Sequence, residues 1–336
     1  MKQIYFIGID VSKGKVDVAV INSANQVVTE KVVRNERGKL ISFIAAVMRK
    51  QKVCSEQVLI CCEDTGIYSK PLKEICHEQG WSLWVENAVK IKRAASDFRG
   101  KSDKKDALRI AEYALRYQDR QYLYVEPSEL QSKLQTLLGA RETVLEQINR
   151  FKQQLSESKG FDPVKHKLLN DCYKKSLRTL EKEFKSIEQQ IRELVEQNQE
   201  VAGNVNLLRS IPGIGLQSAL NFIVYTKNFT AFNSAAHLAC YAGVAPFPNQ
   251  SGTMHKRDRV SSFANKKLKK LLHMAAMAAT KVKGEIKQYY IRKVKEGKNK
   301  MSVLNAILNK LVKRMFAVVQ RQSPYVVIQE ENLSIN

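Results

Sequence analysis

A chain of 336 residues, 44% of them hydrophobic, is long enough for two or three domains and excludes a small stapled peptide or a wholly disordered segment. Its 56 Lys and Arg against 33 Asp and Glu leave a formal charge of +23, which points to polyanionic partners, nucleic acid first. Six cysteines form no CxxC pair and no zinc-type spacing with the five histidines, no signal peptide opens the chain and no apolar run is long enough to span a bilayer. The expectation is a soluble, reduced, cytoplasmic protein with no membrane contact.

Three strand patterns come first, at 3–9, 15–21 and 26–33, joined by short polar turns. The first delivers a single carboxylate, Asp10, in the run Gly8-Ile9-Asp10-Val11-Ser12-Lys13. An ionised Asp at the tip of a buried strand is costly unless a cation or a phosphate-binding role holds it there. Helical periodicity follows at Leu40, Ile44, Val47 and Met48, then a continuous apolar strand over 58–62 that runs into Glu63 and Asp64. A second helix is expected over 68–79, a strand over 81–85 and a helix over 107–117. The order β-β-β-α-β-α-β-α is that of a ribonuclease-H-like fold, an antiparallel meander extended by parallel crossovers. An actin-like ATPase also begins with such a strand, but no second Gly-rich phosphate loop follows.

In that topology the fourth strand lies beside the first, so Glu63 comes next to Asp10, and Asp103 and Asp106 share one face of the last helix. Taken singly, each reads as a solvated carboxylate, and Asp103 as a helix cap. As an ordered set, four hard oxygen ligands suit one or two Mg2+ ions. Glu63 and Asp64 compete: neighbours on a strand face opposite sides, so only one of them faces Asp10.

From Ser128 to about residue 199 leucines and isoleucines recur at helical spacing on either side of Gly160-Phe161-Asp162-Pro163, which reads as an antiparallel helical hairpin and a candidate coiled coil. The next block opens on Ile211-Pro212-Gly213-Ile214-Gly215 before an apolar helix, the pattern of a helix-hairpin-helix element whose Gly213 and Gly215 let a phosphate approach the backbone. A plain turn between helices carries the same Pro and Gly. Tyr241-Ala242-Gly243-Val244-Ala245-Pro246 leads to Ser251 in a loop rich in cations: Lys256, Arg257 and Arg259. Such a serine is either an unremarkable loop residue or a nucleophile on a phosphodiester. Lys266, Lys267, Lys269 and Lys270 then line a helix, and over 256–321 nineteen Lys or Arg stand against three acids, which puts the polyanion-binding face in the C-terminal third.

These motifs, in this order, resemble the transposases of the insertion-sequence one-hundred-ten family, the DEDD recombinases that also include the pilin-gene invertases. The resemblance implies a RuvC-like α/β domain over 1–125, a helical coiled-coil middle over 126–200, a mostly α transposase domain over 201–325 and a tail over 326–336. It implies that Asp10, Glu63, Asp103 and Asp106 hold Mg2+, and that Ser251 forms a transient phosphoserine link to DNA. It further implies donor and target DNA and a structured guide RNA as partners. A homodimer that meets a second one in a tetrameric synapse is implied too, in a prokaryotic cytoplasm at the nucleoid. The alternative is a RuvC-like structure-specific nuclease that needs the acids but not Ser251.

Overall fold

The computed structural model describes residues 3–94, 103–251, 254–260 and 264–326; the side chains at 103–104, 248–251 and 254–259 lie outside that description. It divides into two compact units, Met1–Glu126 and Pro127–Asn336, each taken here by itself.

In the first unit β1 (Tyr5–Val11), β2 (Lys15–Asn22), β3 (Val27–Arg34), β4 (Val58–Glu63) and β5 (Leu83–Glu86) form one sheet in the order β3-β2-β1-β4-β5. The β1–β2 and β2–β3 pairs are antiparallel, and β4 runs parallel to both β1 and β5. This is the mixed sheet expected of the strand order. Alternation of side chains sends Ile7, Ile9, Val16, Val18, Ile60 and Cys62 to one face, under α1 (Arg37–Gln51) and α2 (Lys70–Glu78). Phe6, Ile21, Leu59, Cys61 and Trp84 go to the other, under α3 (Ala88–Ala94) and α4 (Asp103–Arg116). Helix α2 starts later than the apolar periodicity indicated. Pro71 sits in its first turn, where a missing N–H costs nothing, and Gly66–Ser69 form a separate 3-10 turn before it.

Gly8 decides how α4 lies on the sheet. A Cβ there would stand 2.2 Å from the Ala107 carbonyl oxygen and 2.3 Å from the Ala111 nitrogen, so only glycine lets the helix backbone cross directly over β1. Ala107, Ala111 and Ala114 are fully or almost fully buried along that crossing.

The second unit begins with α5 (Glu129–Ser158) and α6 (Pro163–Glu196), an antiparallel pair in which Arg141 meets Glu188, Lys152 meets Glu181 and Gln154 meets Tyr173. Leu134, Leu138, Ile191 and Val195, at the open end of the pair, belong to the same core as the helices that follow. Those are α7 (Gln199–Arg209), α8 (Leu216–Tyr225), α9 (Ala235–Tyr241), α10 (Lys266–Ala279), α11 (Glu285–Lys295) and α12 (Lys300–Arg321). Helix α12 is the hub, burying Val303, Ile307, Leu308, Leu311, Val312, Met315 and Val318 against its neighbours. A two-stranded ribbon, β6 (Pro246–Ser251) with β7 (Met254–Val260), interrupts an otherwise helical unit. Among the described residues no helix is long and apolar enough to cross a membrane.

Candidate active site

The candidate acids Asp10, Glu63 and Asp106 gather at one end of the first unit's sheet, on the face covered by α4. Asp10 has the same parity on β1 as Phe6, and Glu63 the same parity on β4 as Cys61, so both carboxylates point toward α4. Because Gly8 brings Ala107 onto β1, the residue before it, Asp106, arrives at the end of the same strand. Glu63 records that convergence. Burial pushes its carboxyl pKa up, Lys92 on α3 opposes the shift, and the charges of Asp10 and Asp106 push it further up. Asp106 is paired with Arg109 at 2.7 Å along its own helix. Asp103 opens α4, and its side chain lies outside the described residues.

The contest between Glu63 and Asp64 resolves by alternation. Asp64 turns to the opposite side of the sheet, where Oδ1 accepts a 2.8 Å ion-paired hydrogen bond from Lys73 on α2. Glu63 is the one that faces α4.

Register adds two acids that the sequence reading passed over. Asp17 is the cross-strand partner of Asp10, and Glu86 is the partner of Glu63 on β5. Across adjacent strands the order is therefore Asp17, Asp10, Glu63, Glu86, a row of four carboxylates along one edge of the α4 face. The outer two are neutralised inside the fold. Asp17, 4% exposed, pairs with Lys15 at 3.1 Å. Glu86, 8% exposed, pairs with Lys90 at 3.1 Å, and its carboxylate accepts from the Asn87 N–H and the Tyr113 hydroxyl. An acid set into each apolar strand, Asp17 among valines and Glu86 after Leu83-Trp84-Val85, is the signal for both, but only the strand register assigns them to the same end as Asp10.

Two carboxylates whose charges raise the pKa of a third, Glu63, are the right chemistry for a hard divalent cation, since such a cation relieves the repulsion that crowding creates. Among the described residues, though, no group of three acid, His or Cys side chains is close enough to hold an ion as it stands.

In the second unit Ser251 is the last residue of β6, paired with Met254 across the end of the ribbon. A loop is what the sequence pattern predicts there; the structure makes it a strand end. Gly252 and Thr253 lie outside the described residues, as do the side chains of Ser251, Lys256, Arg257 and Arg259. Gly213, at φ +90°, makes its close approach to protein: a Cβ there would meet the Ala275 carbonyl oxygen of α10 at 2.4 Å. Gly215 is the N-cap of α8, with open space where a Cβ would stand. On α10, Lys266 and Lys270 are exposed and Lys269 is half-buried. Lys267 is engaged within the unit, 2.6 Å from Glu142 of α5 and over the Tyr225 ring.

Comparison with known proteins assigns successive stretches of the chain to one family. A family model for DEDD transposases of the IS110 type matches residues 7–158, and the transposase model of the IS116/IS110/IS902 family matches residues 205–291. The pilin gene-inverting protein of Moraxella lacunata is 26% identical over 95% of this chain and 97% of its own length. The transposase for insertion sequence element IS1111A of Coxiella burnetii is 22% identical over 97% of this chain and 92% of its own length. A 43.6 kDa protein of insertion element IS110 from Streptomyces coelicolor is 29% identical over 43% of this chain and 35% of its own length. With two models of one family on successive stretches and relatives aligned from end to end, the chain belongs to the IS110 family of transposases and is a DNA transposase or recombinase.

Proposed function

We propose that this enzyme cuts and rejoins the DNA of a mobile insertion sequence through a phosphoserine intermediate on Ser251, with Mg2+ held by Asp10, Glu63, Asp103 and Asp106. The observation that carries the reading is the crowding of Glu63 by Asp10 and Asp106 at the strand ends, a repulsion that a divalent cation relieves. When bound, Mg2+ supplies polarisation of the scissile phosphate. The protein's own part is a displacement at phosphorus. The Ser251 hydroxyl gives up its proton, an Oγ–P bond forms, the scissile P–O bond breaks, and the released strand end leaves as a hydroxyl with a proton. Attack by another strand's hydroxyl reverses the step and conserves the phosphodiester, so no ATP is required.

In this reading residues 1–125 form a RuvC-like metal-binding domain and 126–200 a coiled-coil spacer. Residues 201–325 carry Ser251, the helix-hairpin-helix contact at Gly213 and Gly215, and the phosphate-binding cations Lys256, Arg257, Arg259, Lys266, Lys269 and Lys270. A structured guide RNA pairs with donor and target DNA, which suits a chain of +23 that needs only helix shape and phosphates for its own contacts. Homodimers meet as a tetramer, with the acids of one copy serving the serine of another.

The test is Ser251→Ala. Recombination and any covalent protein–DNA adduct disappear while DNA and RNA binding persist. An adduct that survives the substitution removes Ser251 from its role; wild-type cutting that releases hydrolysed ends with no adduct makes the protein a RuvC-like nuclease instead.

A further inference from the structure

Directly after Glu63 the chain makes a turn whose construction is more elaborate than a simple link to α2 requires. Asp64 is tied to Lys73 at 2.8 Å, the Ser69 hydroxyl donates to the Gly66 carbonyl at 2.9 Å, and Ser69 itself is fully buried. The Asn35 side-chain amide donates to two carbonyls at once, those of Ser12 and Tyr68, each at 3.0 Å. Ser12 is two residues beyond Asp10, so this latch fixes Tyr68 beside the end of the strand that carries Asp10. On this braced turn the two residues at the top point outward. Ile67 is 75% exposed and Tyr68 is 43% exposed.

Single apolar residues on a surface are ordinary. An adjacent aliphatic–aromatic pair fixed at the rim of a cluster of acids is a different case. The pair is far smaller than the roughly 800 Å² per partner of a specific protein interface, but matches the flat apolar face of one nucleobase. Exposed Lys13 on the β1–β2 turn and exposed Lys92 beside Glu63 put positive charge on the same rim, which favours an anionic ligand over an apolar protein segment.

We propose that Ile67 and Tyr68 form a stacking wedge that takes up an unpaired nucleobase next to the point of DNA cleavage, selecting distorted over fully paired DNA at the acidic site. The proposal rests on the reading of Asp10 and Glu63 as part of the cutting site. The turn is held through the Gly66 and Tyr68 carbonyls, Ser69 and Asp64, so these ties do not run through the Ile67 and Tyr68 side chains.

The experiment uses the full-length protein without magnesium and two oligonucleotide duplexes of one sequence. One is fully paired, and the other carries an unpaired fluorescent aminopurine. Wild-type protein binds the unpaired probe more tightly and quenches its emission. The double variant Ile67→Ser, Tyr68→Ser loses the quenching and binds the unpaired probe about tenfold more weakly, the loss expected for one stacked base, with the paired probe unaffected. Tyr68→Phe keeps both signals. Quenching that survives in the double variant overturns the wedge, as does an equal loss on both probes. A drop in oligomeric mass of the double variant on size exclusion also overturns it, since the patch is then a protein interface. Asp10→Asn separates the two readings: it keeps the quenching and abolishes cutting, and an Asp10→Asn protein that still recombines refutes the acidic site while leaving the stacking signal to be judged by itself.

Discussion

Asp10 stands on a strand with a hydrogen-bonded neighbour on each side and helices over both faces, whereas Ser251 ends one arm of a two-stranded ribbon. The ribbon carries a register shift between Phe247 and Asn249 and leaves Phe247 and Val260 exposed. A ribbon of two strands is marginal alone, while a five-stranded sheet packed on both sides holds its strand ends to a fraction of an ångström. The two supports suit two tasks. In the proposed mechanism, the acids that would share one cation are placed by the fold itself, and the serine that would attack a phosphate is carried on a two-stranded element. The charge follows the same division: the acids sit at the ends of the first unit's strands, and the cations accumulate after Ser251.

The comparison breaks most sharply if either support can be dispensed with. Asp10→Asn and Ser251→Ala are each expected to lower recombination by about 10⁴-fold or more, because residues that act as one unit fail together, measured on a plasmid carrying the element's ends. Only the Ser251 variant retains a magnesium-dependent rise in melting temperature. Equal loss of that rise in both variants contradicts the division between the units.

Gly8→Ala tests the rigidity of the first support. The new methyl group meets the backbone of α4, not a side chain that can swing away, so α4 must lift from β1 and carry Asp106 with it. Overpacking of this kind costs about 1–3 kcal/mol, read as an earlier thermal transition together with lost recombination. Nucleic-acid binding through the second unit is retained.

Glu63→Gln has a smaller effect on stability, and its sign depends on pH. Burial and the neighbouring Asp10 and Asp106 raise the Glu63 pKa, so folding favours its protonated form. That contribution is fully present below the ordinary Glu pKa and is lost as pH rises through the raised value, which leaves an ionised Glu63 as a cost at neutral pH. Without metal the variant therefore melts higher at neutral pH, by about 1–2 °C once solvent screening is allowed for, and the difference vanishes on acidification. Added magnesium reverses the ranking, because only the wild type gains from it.

Much of the first unit was legible because alternation and helical periodicity are local. The strands at 3–9, 15–21, 26–33 and 58–62 stand within two residues of β1, β2, β3 and β4, and topology alone put β4 beside β1. Non-local features stayed hidden. Asp17 falls inside the apolar pattern at 15–21 and Glu86 just past the strand expected over 81–85, and nothing but register brings them level with Asp10 and Glu63. Helix α3 has seven residues, too few to show a period, yet it carries Lys90 and Lys92 to the site. The ribbon was read as a loop because Pro246 and Pro248 weaken a strand signal, and the cations of 254–260 mask its alternation. Lys267 looked like its neighbours on α10, and only tertiary packing gives it Glu142.

Asp64→Asn supplies the finest cut between two adjacent acids. Glu63 and Asp64 are neighbours in sequence and opposites in space, one facing α4 and the other paired with Lys73 on α2. The Asp64 side chain is 60% exposed, so its ion pair is screened and contributes about 0.2–1 kcal/mol. Asn in its place keeps an oxygen for Lys73, and the expected outcome is a shift of no more than about 1–2 °C in melting temperature with recombination within about twofold of wild type. Glu63→Gln on the same assay loses recombination outright. Were the two variants to lose activity alike, alternation along β4 would not be what separates the acids. Were Asp64→Asn alone to lose it, the cation would belong on the α2 face of the sheet.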